Sequence, residues 1–386
     1  MTRRWATAVG LVACAAAGAH ADPLRLRGDA LATTQSPVGL LVLSGDGAVS
    51  GPVTAEALVW MGATHDGATG DALVMAVVAR REGRRAEARI GRLVATVGGL
   101  RPVHVDGVAG RVRLPRRLDV EVVGGVPVVP RLGAQAWDWL IGGRVARRLG
   151  DAGALGVAAL ERREAGRLAT REVGFDAAWS RGRYDAAARA AVDLIDPALA
   201  DLRVVALARW RAVRGELSLE HRSPTHLLPA TSLFTVLGEV ASDRAGAGLR
   251  WRAAPRLDVV ADLGVRAVSD EVAADAFARA TLRLDDRGRG AIVFEARRAG
   301  AIDGGWTGAR VAGRVPVGRW SAALEAELVR PDVDRGRGTL WPWAMAALGW
   351  TADGWDAALA IEATSSPTDR ARVDVLAQLG RRWELR

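Results

Sequence analysis

The chain has 386 residues, of which 49% are hydrophobic and 25% charged, with a formal net charge of +9. Its basic residues are all arginine, so a phosphate-binding loop that needs a Gly-Lys pair is excluded. Arginine alternates with Asp and Glu along the whole length instead of gathering in one run, which argues against a nucleic-acid partner.

The first residues have the layout of an export leader. Arg3 and Arg4 give a positive start, Trp5 to Gly18 form a short apolar stretch, and Ala19-His20-Ala21 places small residues where signal peptidase reads them. Residues 1–21 are therefore expected to be a signal peptide and 22–386 the mature chain. Leu11-Val12-Ala13-Cys14 also has the residue types of a lipobox, although small apolar residues run on past the cysteine. Cys14 is the single cysteine, so a mature chain starting at Asp22 has none.

No later segment approaches the ~18 uninterrupted apolar residues of a membrane helix, so any crossing of a bilayer must use strands. The period that recurs along the chain is two. It is ambiguous at Tyr184 to Leu194, which is alanine-rich and could be helical, but the same alternation recurs in enough other segments to decide for strands. Leu202, Val204, Ala206, Ala208 and Trp210 alternate with Arg203, Arg209 and Arg211. Leu257, Val259, Ala261, Leu263 and Val265 alternate with Asp258, Asp262 and Arg266. Ala276 to Leu284 alternates with Asp275, Arg279 and Arg283, and Trp320 to Leu328 with Glu325 and Glu327. Trp355, Ala357, Leu359 and Ile361 repeat the pattern against Asp356 and Glu362.

Turn signals such as Ala165-Gly166, Gly304-Gly305 and Asp353-Gly354 separate these runs, so successive strands are joined as antiparallel hairpins. The expected fold is all-β: one antiparallel transmembrane β-barrel of about 20 strands, an even number between about 16 and 22, each near the 9–11 residues of a tilted membrane strand. Two stretches break the alternation. Gly124 to Gly133 contains Pro127 and Pro130 and is expected to leave the ladder, and Ser223 to Phe234 reads as a long loop that either stays outside or folds into the barrel mouth.

Tryptophans fall at strand ends, where a membrane barrel carries its aromatic girdles. The girdle candidates are Trp137, Trp139, Trp179, Trp251, Trp306, Trp320, Trp341, Trp343, Trp350, Trp355 and Trp383. The ionic parity gives the candidates for a lumen lining: Arg203, Arg209, Arg211, Asp258, Asp262, Arg266, Arg279, Arg283, Arg310, Arg314, Glu325 and Glu327. Rows of ions need water or one another, and a wide barrel interior offers both. The lining reads either as ion-selective, with an anion preference from its arginines, or as a salt-bridge lattice that stiffens the wall.

Motifs for chemistry are sparse. His104 and Asp106 are spaced to share a strand face and could form an acid/base pair, but a polar surface pair is the ordinary reading. His221 and His226 flank Ser223 and Thr225 with the same two readings, and Asp332 with Asp334 could touch Ca²⁺ or simply make a solvated turn. No catalytic, cofactor or metal residue is assigned.

With leader, alternating strands, aromatic ends and an alternating last strand, residues 22–386 resemble a bacterial outer-membrane barrel of the porin-like kind. The resemblance implies outer-membrane lipid and the assembly machinery as partners and a passive channel for small solutes, without a reaction or a cofactor. A structural or partner-binding barrel with a plugged lumen is the alternative. The last strand departs from the pattern, because Arg381 interrupts Ala371, Val373, Val375, Ala377, Leu379 and Trp383, and Glu384-Leu385-Arg386 follows.

Overall fold

The computed structural model describes residues 24–33, 39–50, 52–64, 67–80, 85–128, 138–223, 226, 241–268, 271–300, 304–333, 340–365 and 371–385. The leader with Cys14, and His65, Trp137 and Asp334, lie outside the described residues.

Among the described residues, twenty-two strands follow one another. They are β1 (Leu24–Thr33), β2 (Gly39–Ser50), β3 (Val53–Thr64), β4 (Gly67–Arg80), β5 (Ala86–Ala95), β6 (Val103–Leu114), β7 (Leu118–Pro127) and β8 (Trp139–Leu149). Next come β9 (Gly153–Glu164), β10 (Arg167–Arg181), β11 (Tyr184–Asp193), β12 (Ala198–Trp210), β13 (Val213–Arg222), β14 (Ser242–Ala254) and β15 (Leu257–Val268). The last are β16 (Glu271–Arg283), β17 (Ala291–Ala299), β18 (Trp306–Val317), β19 (Trp320–Pro331), β20 (Trp341–Ala352), β21 (Trp355–Thr364) and β22 (Arg372–Leu385). Each pairs antiparallel with its neighbours in sequence, and β22 returns to β1 with Leu24 opposite Leu385 and Thr33 opposite Leu376. The sheet is thus closed, and no edge is left to aggregate.

Period two does the sorting. One parity of each strand is apolar and exposed, as at Val272 (71%) and Leu324 (66%). Leu217, Leu219, Leu263, Val265, Phe294, Leu348 and Leu359 extend that surface around the wall. A contiguous apolar exterior of this extent is untenable in water and suits hydrocarbon. The soluble β-sandwich that the same alternation also allows is set aside by the closed ladder.

The two mouths differ. Connections after even-numbered strands are mostly two or three residues long, as at 150–152, 182–183, 211–212, 255–256, 318–319 and 353–354. Those after odd-numbered strands include 96–102, 128–138, 223–241, 332–340 and 365–371. The end with the short connections, the turn mouth, also holds the start of β1 and the end of β22; the opposite end is the loop mouth. The expected hairpin signals form tight left-handed turns, with Ala165-Gly166 at φ 50° and 75° and Asp353-Gly354 at φ 49° and 81°.

The departure expected from Gly124 to Gly133 begins later than the prolines suggest. Gly125 is opposite Leu140 and Pro127 opposite Val105, so β7 continues to Pro127. Pro127 is the last residue of its strand, where a missing N–H is tolerated. Of the stretch Ser223 to Phe234, only Ser223 and His226 are described; both are buried, and His226 Nδ1 lies 3.4 Å from Asp193 Oδ2.

Candidate functional site

Most of the ion pairs share the other parity and form one face, whereas Arg92 with Asp71 and Asp106, and Arg163 with Glu161, lie on the apolar parity towards the loop mouth. Register puts Arg279 opposite Glu295, Glu295 opposite Arg310 and Arg310 opposite Glu327, a row of alternating sign across β16 to β19. Directly opposed charges of unlike sign are the favourable cross-strand pair. Glu295 is the hub: Arg297 binds it, Arg310 lies at 3.3 Å and Arg279 at 3.7 Å. Arg310 also reaches Glu325 at 2.6 Å, and Glu327 takes Arg297 at 3.6 Å.

All the other lining candidates except Arg211 have the same parity. Arg203 pairs with Glu220 at 3.1 Å and Arg209 with Asp185 at 2.6 Å. Asp258 binds Arg283 and lies 3.5 Å from Arg252. Asp262 lies beside Gly248, while Arg266 donates to the Gly300 carbonyl at 3.4 Å. Arg314 is an exposed arginine of β18 opposite Ala291, and Arg211 stands outside the strands, at the tip of the β12–β13 turn.

Residues 96–102, between β5 and β6, fold onto this face as a strap. Val97 and Leu100 are each 2% exposed and pack into a cluster with Leu93, Val105, Val123, Leu140 and Leu160. The strap reaches β10 and β11. A Cβ on Gly99 would fall 2.5 Å from the Phe175 carbonyl oxygen, one on Gly98 would fall 2.6 Å from Asp176 Oδ1, and one on Gly174 would meet Leu100. Beyond the apolar cluster, Arg101 donates to Glu172 at 2.5 Å, and Arg144 bridges Asp176 and Glu121 at 2.5 and 3.1 Å. A segment this short reaches strands so far along the wall only across its concave side. The ionic parity is therefore the inner one. A cavity of about 140 Å³ remains beneath the strap, lined by Arg101, His104, Arg162, Thr170 and Glu172 among others.

The tryptophans divide between the faces. Trp139, Trp179, Trp251 and Trp320 are exposed on the apolar parity. Trp350 is opposite Trp320, and Trp355 and Trp383 flank Arg381, whose guanidinium stands 4.5 and 5.3 Å from the two rings. Except for Trp139, this outer set clusters at the turn mouth, where Trp210 and Tyr184 join it although the sequence reading did not include them. Trp306, Trp341 and Trp343 have the ionic parity instead, at the loop mouth, and Trp343 Nε1 donates to Glu362 at 2.5 Å.

The sparse chemical motifs are not assembled into a reactive centre. Asp106 is taken by Arg92 at 2.7 Å. His221 Nδ1 meets Asp243 at 2.8 Å, and Asp332 is gripped by both Nη atoms of Arg298 at 2.5 and 2.6 Å. Among the described residues no group of acidic, His or Cys side chains is arranged to hold a metal ion.

A closed antiparallel barrel with an apolar exterior and an ionic interior is a membrane-type β-barrel. No family model matches the sequence, and no curated protein matches it. Solved structures share the fold at low identity. The copper transporter OprC has 10% identity and a TM-score of 0.62, covering 95% of this chain and 82% of that one. The ferric citrate transporter FecA in its unliganded form has 8% identity and a TM-score of 0.59, with 94% and 78% covered. The P pilus usher (PapC) translocation pore has 10% identity and a TM-score of 0.55, with 94% and 99% covered.

Proposed function

We propose that this protein is a passive channel of the bacterial outer membrane, exported by its leader and inserted with its long connections outward. The observation that carries the reading is the enclosed ionic face of a 22-stranded wall. A barrel of that size is too wide for wall side chains to fill, so its charges stand in water and bias what passes. The apolar exterior supplies the contact with lipid, and the short turns agree with a periplasmic end. The similar folds include two transporters and a translocation pore, which fits passage through the barrel. The lattice selects by charge and size and carries out no reaction. Planar-bilayer recording of the folded, purified protein tests this directly: stepwise ohmic conductance is expected, and a barrel that inserts but never conducts removes the reading.

A blocked barrel that binds a partner is the second reading, favoured by the strap, which already covers the inner face of β8 to β11. Deleting residues 97–100 separates the two, because a blocked barrel gains conductance from none, whereas an open one changes its existing conductance.

A further inference from the structure

The ion-pair lattice leaves several arginines of the turn mouth unused. Arg116 and Arg117 make the turn between β6 and β7, Arg183 lies in the β10–β11 turn, Arg211 in the β12–β13 turn and Arg319 in the β18–β19 turn. All five are exposed at the turn mouth, and none has an ion-pair partner among the described residues. Three of them occupy left-handed backbone: Arg116 at φ 61°, Arg117 at φ 64° and Arg211 at φ 30°. Gly, Asn or Asp is the ordinary occupant of such positions. The chain uses those residues elsewhere, as at Asp353-Gly354, so the arginines are not forced by the turn geometry. Backbone held in a sparsely populated region with no packing reward points to function at the side chain.

Two acidic residues of the same mouth are already engaged, Asp286 by Arg256 at 2.7 Å and Asp285 by Arg289 at 3.8 Å. Among the described residues, Asp151, Asp353 and Glu384 remain at that mouth, against these five arginines and also Arg85 and Arg287, which lie in its connections and have no ion-pair partner either. Just inside, Arg250 of β14 and Arg314 of β18 continue the positive series on the inner face. The loop mouth is different: Arg298 is answered by Asp332 and Arg372 by Asp374, while register sets Arg222 opposite Asp201 and Arg244 opposite Glu220.

We propose that the turn mouth is an anion funnel, a ring of unpaired guanidinium groups that captures multivalent oxyanions, phosphorylated or polycarboxylate, and delivers them to the lumen. Guanidinium forks match such groups geometrically, and a ring on a low-dielectric rim focuses its field at the opening. The proposal rests on the channel reading and deepens it by naming the solute class and the side from which it enters.

The test is one-sided block by inorganic tripolyphosphate in a planar bilayer. An Ala212→Cys substitution, reacted with a charged thiol reagent from one compartment, marks which side holds the turn mouth. In about 0.1 M salt, where screening acts over about 10 Å, block from the turn mouth is expected at a concentration at least about tenfold lower than from the loop mouth. Replacing Arg85, Arg116, Arg117, Arg183, Arg211, Arg287 and Arg319 together by Gln abolishes the difference, with folding verified by heat-modifiable gel migration. Equal block from both sides, or an asymmetry that survives the replacement, overturns the funnel. Should the unmodified protein never conduct, the channel reading fails by itself, and calorimetric titration of tripolyphosphate into the detergent-solubilised barrel decides the funnel: saturable binding lost in the Gln variant supports it, and no binding overturns it.

Discussion

Glu295 has a side chain only 5% exposed and stands among Arg279, Arg297 and Arg310. Removing it leaves three guanidinium groups facing one another. Glu295→Ala is expected to destabilise the barrel by about 1–3 kcal/mol, less than a fully dry pair would lose because its arginine partners are partly exposed. Urea titration in detergent, read by the fraction of heat-modifiable barrel, measures it. Asp285 lies in the turn between β16 and β17, outside the spanning strands. Backbone N–H groups of Arg289 and Gly290 hold its carboxyl below the ordinary value of 3.8. Its stabilisation is complete above that value and is lost as pH falls through the lower folded one. Protection of the Arg289 and Gly290 amides, taken relative to intrinsic exchange at each pH, should therefore fall only on acidification below the ordinary carboxylate range; protection independent of pH there would refute the linkage. Arg381 shows what a single residue hides from sequence. It reads as an interruption of the last strand, yet it stands over Trp355 and Trp383, an interfacial cation held by two rings.

The strap is the element that the sequence reading missed. Thr96 to Pro102 looks like an ordinary turn between two strands, because two glycines and a proline report a change of direction and nothing about which side of the wall it takes. Val97 and Leu100 were the available signal, two apolar residues in a connection that is otherwise expected to be polar. Their partners Leu93, Val105 and Leu140 lie on the parity that elsewhere bears charge. Leu100→Ala is expected to cost about 2–4 kcal/mol by leaving a cavity in that cluster, measured by the same urea titration. Gly99→Val acts through geometry, since its Cβ meets the Phe175 carbonyl oxygen and the strap must lift. Changed single-channel conductance is the expected result, and an unaltered conductance would show that the strap lies clear of the path.

At the scale of the whole molecule, closure is the property from which the rest follows. The seam pairs β1 with β22 over ten residues from Leu24–Leu385 to Thr33–Leu376, so truncation before Arg372 opens the wall and should abolish the heat-modifiable form altogether. A truncated chain that still migrates as a folded barrel would contradict the seam. The sequence by itself determined the class: period-two alternation, with most ions on one parity and hydrocarbon on the other, is a local property that a strand carries regardless of its neighbours. It also gave the strand number to within its range. Tertiary structure alone decided which ions meet, since the row from Arg279 to Glu327 joins residues of four strands through register. It alone decided that Trp341 and Trp343 side with the charges, and that the strap crosses the inner wall. Contacts between distant segments depend on shear and curvature, which no periodicity encodes.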